Sequence, residues 1–472
     1  MVVSLAILIF VVLTAGTVLL VRPGPVDDWL SDDPARPSAA ARTPEPAPSP
    51  VLVAAGAGGA APTAAGVEAA IGALVDAPAL GSRVNVSVVD AATGEALYEK
   101  NADTKTTPAS TTKLLTAATV LATRGPAHRL STRAVAGAEP GEVVLIGGGD
   151  PSLAVDGDGL FPGAARLDKL AEQVKKSLGA QEPTRVVVDT SLFTGPETGP
   201  GWEDGLIAEG QVARIQALMT DGGRVEPVHH EFGGDERFAD PALAAGRAFA
   251  AQLGLPGTAV REGKAPAAAE PAASSAPAAG GPGAELGVVQ SPPLVHVLDW
   301  MLEQSDNVLA EALARQVALA TGKEASFAGA AEAMRAELTK LGLPADQAEL
   351  SDASGLSLDN RISPGLLTDL LALAASGKQP ALGSMFGGLP VAGWSGTLRS
   401  RFAEPAGNQV GQGLVRAKTG SLTGVNAISG NLITKDGRLL VFAVLADATG
   451  ETGAARQALD RIAAKLVTCG CQ

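Results

Sequence analysis

The chain has only two cysteines, Cys469 and Cys471, both among its last four residues. That excludes a disulfide framework or a cysteine-built metal centre in the body of the protein, and leaves the pairing of these two open. The four histidines (His128, His229, His230 and His296) lack zinc-site spacing. They read as surface or packing residues, and no metal is expected. Aromatic residues amount to 3% with a single tyrosine, so the core must be built from Ala, Val, Leu and Ile. Acidic residues outnumber basic ones 50 to 36, the net charge is −14, and no Lys/Arg block occurs, which argues against a nucleic-acid partner. GxGxxG and Walker spacings are also missing. The run Gly147-Gly-Gly-Asp150 therefore reads as a structural turn, and no cofactor is expected. Asp156-Gly-Asp-Gly159 has too few ligands for a calcium loop and reads as a solvated turn.

What is present begins with residues 2–21, twenty positions without a charge, long enough to cross a bilayer as a helix. We read residues 1–22 as a membrane anchor, with a cleaved signal segment as the alternative. Residues 23–66 are rich in Pro, Ala and Gly and read as a flexible tether. A helix is expected near 67–75. The alternation in Arg83-Val-Asn-Val-Ser-Val-Val-Asp90 predicts a half-buried strand, and Ala92-Thr-Gly94 turns it into a second one. Further on, helices are expected near 167–178, 293–321 (interrupted at 305–307), 325–341 and 451–466. Strands are expected near 143–146, 185–188, 414–420, 425–434 and 438–446. Residues 265–283 hold too few large apolar side chains to pack and read as a disordered excursion. Strands at the two ends flank a helical middle, so the end strands are expected to share one antiparallel sheet covered by helices on both faces.

Three short motifs carry chemistry. Ser110-Thr-Thr-Lys113 is the chain's only Ser-x-x-Lys, and Ser305-Asp-Asn307 and Lys418-Thr-Gly420 follow in order, after gaps of 195 and 113 positions. A serine needs a base to become a nucleophile. Residues i and i+3 at a helix start share a face, so Lys113 can reach Ser110 unaided, and the helix N-terminus favours charge on the serine oxygen. To act as base near pH 7, Lys113 must lose roughly three units from its ordinary pKa, costing about 4 kcal/mol. Burial and a second cation, Lys418, are the expected causes. Ser305 is the candidate proton relay between Lys113 and the leaving amine, and the Asn307 amide can hold both Lys113 and a substrate carbonyl. Lys418 and Thr419 suit a carboxylate, Gly420 a close approach of substrate backbone, and Ser421 an oxyanion hole shared with the Ser110 N–H. Asp306 is expected to face away from the cleft. A competing Ser-x-Asn at Ser429-Gly-Asn431 falls in a strand and reads as structural.

All three motifs in this order are the signature of penicillin-interacting serine enzymes. The chain resembles the class C low-molecular-mass penicillin-binding proteins, the D-alanyl-D-alanine carboxypeptidase/endopeptidase group with a large insertion after the nucleophile helix. Further matching segments are Gly147-Gly-Gly-Asp-Pro-Ser-Leu153, Ala217-Leu-Met-Thr-Asp-Gly-Gly223, Ser291-Pro-Pro-Leu294, Asp352-Ala-Ser-Gly-Leu356 and Leu389-Pro-Val-Ala-Gly393. The likeness spans roughly residues 67–467.

This resemblance implies an α+β fold: a transpeptidase-like domain, with a five-stranded antiparallel sheet and a helical cluster, made from residues 67–129 and 287–472. Residues 130–286 would form one or two smaller mixed domains inserted into it. The implied reaction is acyl transfer through Ser110 on peptidoglycan stem peptides ending in D-Ala-D-Ala, with β-lactams as covalent inhibitors. The implied site is Ser110, Lys113 and Ser305 as catalytic residues, with Asn307, Lys418, Thr419, Gly420 and Ser421 binding substrate. A β-lactamase on the same fold, or an envelope scaffold using the insertion, are the alternative readings. Arg22, Arg36 and Arg42 follow the apolar segment and no basic residue precedes it, so the positive-inside rule would leave the body in the cytoplasm. The wall substrate requires the opposite side, and we expect an extracytoplasmic, membrane-anchored enzyme.

Overall fold

The computed structural model describes residues 59–231, 233–267 and 281–470. The expected membrane segment, the tether up to residue 58, most of the 265–283 excursion and Cys471 lie outside the described residues. Among the described residues no helix is long and apolar enough to cross a membrane.

The chain enters through helix α1 (Ala64–Val75), three residues earlier than the expected start, because Thr63 caps it by accepting from the Gly66 N–H. Strands β1 (Val84–Asp90) and β2 (Ala96–Lys100) form the first hairpin. Helix α2 (Lys113–Arg124) follows the Ser110 turn. Strands β3 (Ser131–Ala136) and β4 (Glu142–Ile146), helix α3 (Leu167–Leu178), strand β5 (Arg185–Asp189), helix α4 (Pro241–Leu253) and strands β6 (Val260–Glu262) and β7 (Glu285–Gln290) make a second unit of sheet and helix. Helices α5 (Leu294–Glu303), α6 (Asn307–Ala320) and α7 (Phe327–Lys340) come next, then the short pair β8 (Ala348–Glu349) and β9 (Arg361–Ile362), and helix α8 (Pro364–Ala375). The meander β10 (Val415–Leu422), β11 (Val425–Ile433), β12 (Leu439–Ala446) and helix α9 (Thr452–Thr468) close the chain.

The first sheet has the order β10-β11-β12-β1-β2, antiparallel throughout, so the two ends of the sequence meet at the β12–β1 pair. Every residue of β1 is buried. Its alternation separates two helical layers rather than core from water. Val86 and Val88 pack with Ile71 of α1 and Leu459 and Ile462 of α9, whereas Val89 joins the core that contains Leu114 of α2 and Leu366 of α8. The polar members are satisfied inside that second layer: the Asn85 amide donates to Thr106, and the Ser87 hydroxyl meets Thr368 Oγ1 at 2.7 Å.

The second sheet, β6-β5-β4-β3-β7, is mixed: β4, β5 and β6 run parallel, while β3 pairs antiparallel with β4 and β7. Its parallel part needs crossovers, and α3 and α4 supply them over one face. Strands β3, β6 and β7 were not expected from the sequence; β6 has three residues and Gly287 breaks the apolar pattern of β7. The Gly147–Gly149 run is a packing feature. Cβ atoms on Gly147 and Gly148 would lie 2.5 and 1.9 Å from the Ala217 and Ser131 carbonyl oxygens.

Candidate active site

Ser110 sits in one 3-10 turn, Ala109–Thr112, and the α-helix proper begins at Lys113. The turn is tied by its own hydroxyls, Thr111 Oγ1 donating to Pro108 O at 2.7 Å and Thr112 Oγ1 to Ala109 O at 2.8 Å. Ala109 adopts φ +46, a left-handed conformation that costs about 1 kcal/mol or more without glycine. Two glycines let neighbours close on this strained turn. A Cβ on Gly355 would fall 1.9 Å from Ala109 O, and one on Gly420 2.6 Å from Pro108 O. Gly420 is thus required by the backbone of the Ser110 turn itself, a reason for glycine that the sequence did not show.

Lys113 is fully buried beneath Ser110. Its Nζ lies 3.0 Å from Ser110 Oγ and donates to Asn307 Oδ1 and Ser354 O, both at 2.6 Å. Burial lowers its pKa to about 8, against the carboxylates of Asp352, Asp306 and Glu311, which pull it up. Burial, the first of the two expected causes, is the main one. Lys418 is itself fully buried and is pushed well below the ordinary lysine range by burial and then by the Lys113 charge.

Ser305 occupies the single residue between Gln304, which ends α5, and Asp306, which caps α6, with φ +60. Its Oγ accepts from Lys418 Nζ at 2.9 Å, and that nitrogen also donates to Thr419 O at 2.8 Å. The lysine partnered with Ser305 is therefore Lys418, whereas the sequence pointed to Lys113. Asp306 does not turn away. It is buried in the cleft wall, where it accepts from Leu309 N at 3.0 Å and from Arg224 Nη2 at 3.0 Å. Burial alone would raise its pKa, but the Arg224 and Arg237 guanidiniums hold it down at about 2. The competing Ser429 and Asn431 belong to β11, Ser429 pairing across the ladder with Lys418.

Ser110, Ser305, Asn307, Thr419 and Ser421 line one cleft of about 260 Å³. Lys113 and Lys418 reach its floor from below, and Gly420 packs behind it. An amine 3.0 Å from a hydroxyl, with a second lysine–serine pair beside it, can exchange protons with both sides of an attacked carbonyl.

Several contributors were not identified from the sequence. Gln211 O accepts from Asn307 Nδ2 at 2.9 Å, and Arg224 bridges Asp306 and Asp235, with Arg224 Nε to Asp235 Oδ2 at 2.8 Å. Thr397 Oγ1 lies 2.8 Å from Thr419 Oγ1, and Arg456 Nη2 donates to Ser421 Oγ at 3.2 Å. His229 and His230, expected on the surface or in packing, line the cleft beside Asp235, His230 Nδ1 being 2.8 Å from Asp235 Oδ1. Gln211 and Arg224 lie beside the matched Ala217–Gly223 segment, and Ser354 is within the Asp352–Leu356 one, which were the available signals.

The family model for D-Ala-D-Ala carboxypeptidase 3 (S13) matches residues 67–240 and 229–466. Carboxypeptidase Rv3627c of Mycobacterium tuberculosis is 42% identical, over 92% of this chain and 91% of its own length. Carboxypeptidase DacB of Mycolicibacterium smegmatis is 40% identical over 87% and 85%. Penicillin binding protein 4 of Haemophilus influenzae shares the fold with a TM-score of 0.61 at 22% identity, over 85% of this chain and 98% of that one. The matches run through both sheets and all three motifs, and the chain belongs to the D-Ala-D-Ala carboxypeptidase 3 (S13) family.

Proposed function

We propose that Ser110 is the nucleophile that cleaves the terminal D-Ala-D-Ala bond of peptidoglycan stem peptides, with Lys113 as its base. Ser110 Oγ bonds to the carbonyl carbon of the penultimate D-alanine while its proton passes to Lys113. The oxyanion is held by the N–H groups of Ser110 and Ser421. As the C–N bond breaks, Ser305 protonates the leaving amine and is resupplied by Lys418, whose lowered pKa makes its ammonium a readier donor. Thr419, beside Thr397, receives the leaving group's carboxylate, with the Lys418 ammonium adding charge from below until its proton is passed on. Asn307 orients Lys113 and the substrate's amide. Water then bonds to the acyl carbon, its proton passing through Ser305 to the neutral Lys418, while the bond to Ser110 Oγ breaks and Lys113 returns its proton to that oxygen.

The observation that carries this reading is the pair of lysine–serine contacts, 3.0 Å and 2.9 Å, on either side of one cleft. β-Lactams are expected to acylate Ser110 in the same geometry. Labelled penicillin should mark the wild-type protein and not Ser110→Ala; label retained by that variant would remove Ser110 as nucleophile. Digestion of crosslinked and uncrosslinked muropeptides separates endopeptidase from carboxypeptidase action.

In domain terms the reading divides the chain as expected, with residues 130–286 inserted into a transpeptidase-like domain. The substrate lies outside the cytoplasm, and the uncharged run at residues 2–21 supports anchoring at the membrane. Protease treatment of intact cells should degrade the catalytic region; full protection would reverse the orientation.

A further inference from the structure

Asn307, Glu311 and Arg315 are spaced four residues apart in α6 and so lie along one helix face. Asn307 holds Lys113 directly at 2.6 Å. Glu311, one turn further and 1% exposed, holds it indirectly. Glu311 Oε1 accepts from Ala353 N at 2.9 Å and from Ser354 N at 2.8 Å, and Ser354 O is the second acceptor of the Lys113 ammonium. The same turn is clamped from α2, where Thr116 Oγ1 donates to Ala353 O at 2.7 Å. Arg315 anchors the carboxylate from behind, with Nη1 donating to Glu311 O at 2.9 Å and lying 3.6 Å from Glu311 Oε2. Its guanidinium sits 4.1 Å from the Phe327 ring centroid and 5.5 Å from that of Phe193. One helix face thus fixes two of the three acceptors of one buried ammonium, the third being Ser110 Oγ.

We propose that Glu311 is the positioning residue for Lys113, setting where its amine sits below Ser110 and how readily it gives up a proton. This rests on the reading of Lys113 as the base. The groups bearing on Glu311 are Arg315 on its own helix, Asp352 at the supported turn and Lys113 on α2. Burial and then the Asp352 charge raise the Glu311 pKa to about 7, against Arg315 and the two N–H bonds. Its charged form in turn pulls Lys113 upward.

The two functions separate by substitution. In Glu311→Gln the amide oxygen can accept the same two N–H bonds, but the charge beside Lys113 is gone. The acid limb of Ser110 acylation by labelled penicillin should move to lower pH by roughly one unit. In Glu311→Ala the turn loses its anchor, and acylation at the alkaline plateau should slow by roughly 10- to 100-fold. A purely structural residue would lower the melting temperature and leave the limb in place. An unmoved limb in Glu311→Gln, or a wild-type plateau in Glu311→Ala, overturns the assignment. Should the alanine variant not fold, the limb in Glu311→Gln decides alone. A wild-type protein that takes no label would overturn the base assignment as well, whereas a labelled wild type with unchanged variants removes only the role of Glu311.

Discussion

The depressed pKa of Lys113 can be tested by pH alone. An amine can accept the Ser110 proton only when neutral, and a value of about 8 leaves roughly 10% of it neutral at pH 7 and 90% at pH 9. The second-order rate constant for acylation by labelled penicillin should rise steeply from pH 6.5 and level off above about 8.5. Below pH 7 the limb should be shallower than tenfold per unit. There Glu311 takes up a proton near 7, its pull on Lys113 is lost, and the neutral amine is favoured. Stability follows the same shift. The folded-state pKa of Lys113 lies below its ordinary 10.5, so between about 8 and 10.5 the unfolded chain binds more protons and stability rises with pH, by roughly 3 kcal/mol in all. A rate that is flat from pH 6 to 9, or still climbing tenfold per unit at 9.5, would refute a buried, depressed Lys113 as the base.

Two further substitutions probe the frame around Ser305. Arg224→Ala leaves the Asp235 and Asp306 carboxylates buried without their shared cation and should cost about 3–5 kcal/mol in urea unfolding, with slower acylation. A loss below about 1 kcal/mol would show that the network is not what anchors Arg224 and Asp235 to the Ser305 motif. Ser305→Gly relieves a left-handed φ of +60 and should stabilise the fold by about 1 kcal/mol while slowing turnover of peptide substrates. A less stable glycine variant would mean that the hydroxyl's bond with Lys418 outweighs the backbone strain.

Much of the frame was legible because it depends on local pattern. The 3.6-residue periodicity of α6 and α9 and the apolar runs of β11 and β12 define elements whatever they pack against. The closing of the sheet by β12 against β1 followed from end strands with no other partners. Legibility failed where a residue's meaning comes from its neighbours. The alternation in β1 was read as half-buried, yet every residue of the strand is buried and Ser87 meets Thr368 of α8. At Gly420 the sequence did not show that Pro108 O occupies the space a side chain would need. Asp306 was turned outward because nothing local announces Arg224, 82 positions earlier.

The order and spacing of Ser110-x-x-Lys113, Ser305-Asp-Asn307 and Lys418-Thr-Gly420 are properties of the sequence, and they determined the reaction class, since each motif carries its functional groups within one turn or one strand end. Which lysine serves which serine was decided only in three dimensions. Lys113 and Ser110 are neighbours through helix geometry, but Lys418 reaches Ser305 because the edge strand β10 packs on the Ser110 turn through Gly420. The pKa values were likewise decided there, since desolvation depends on complete enclosure by helices, sheet and loops, which no stretch of sequence contains.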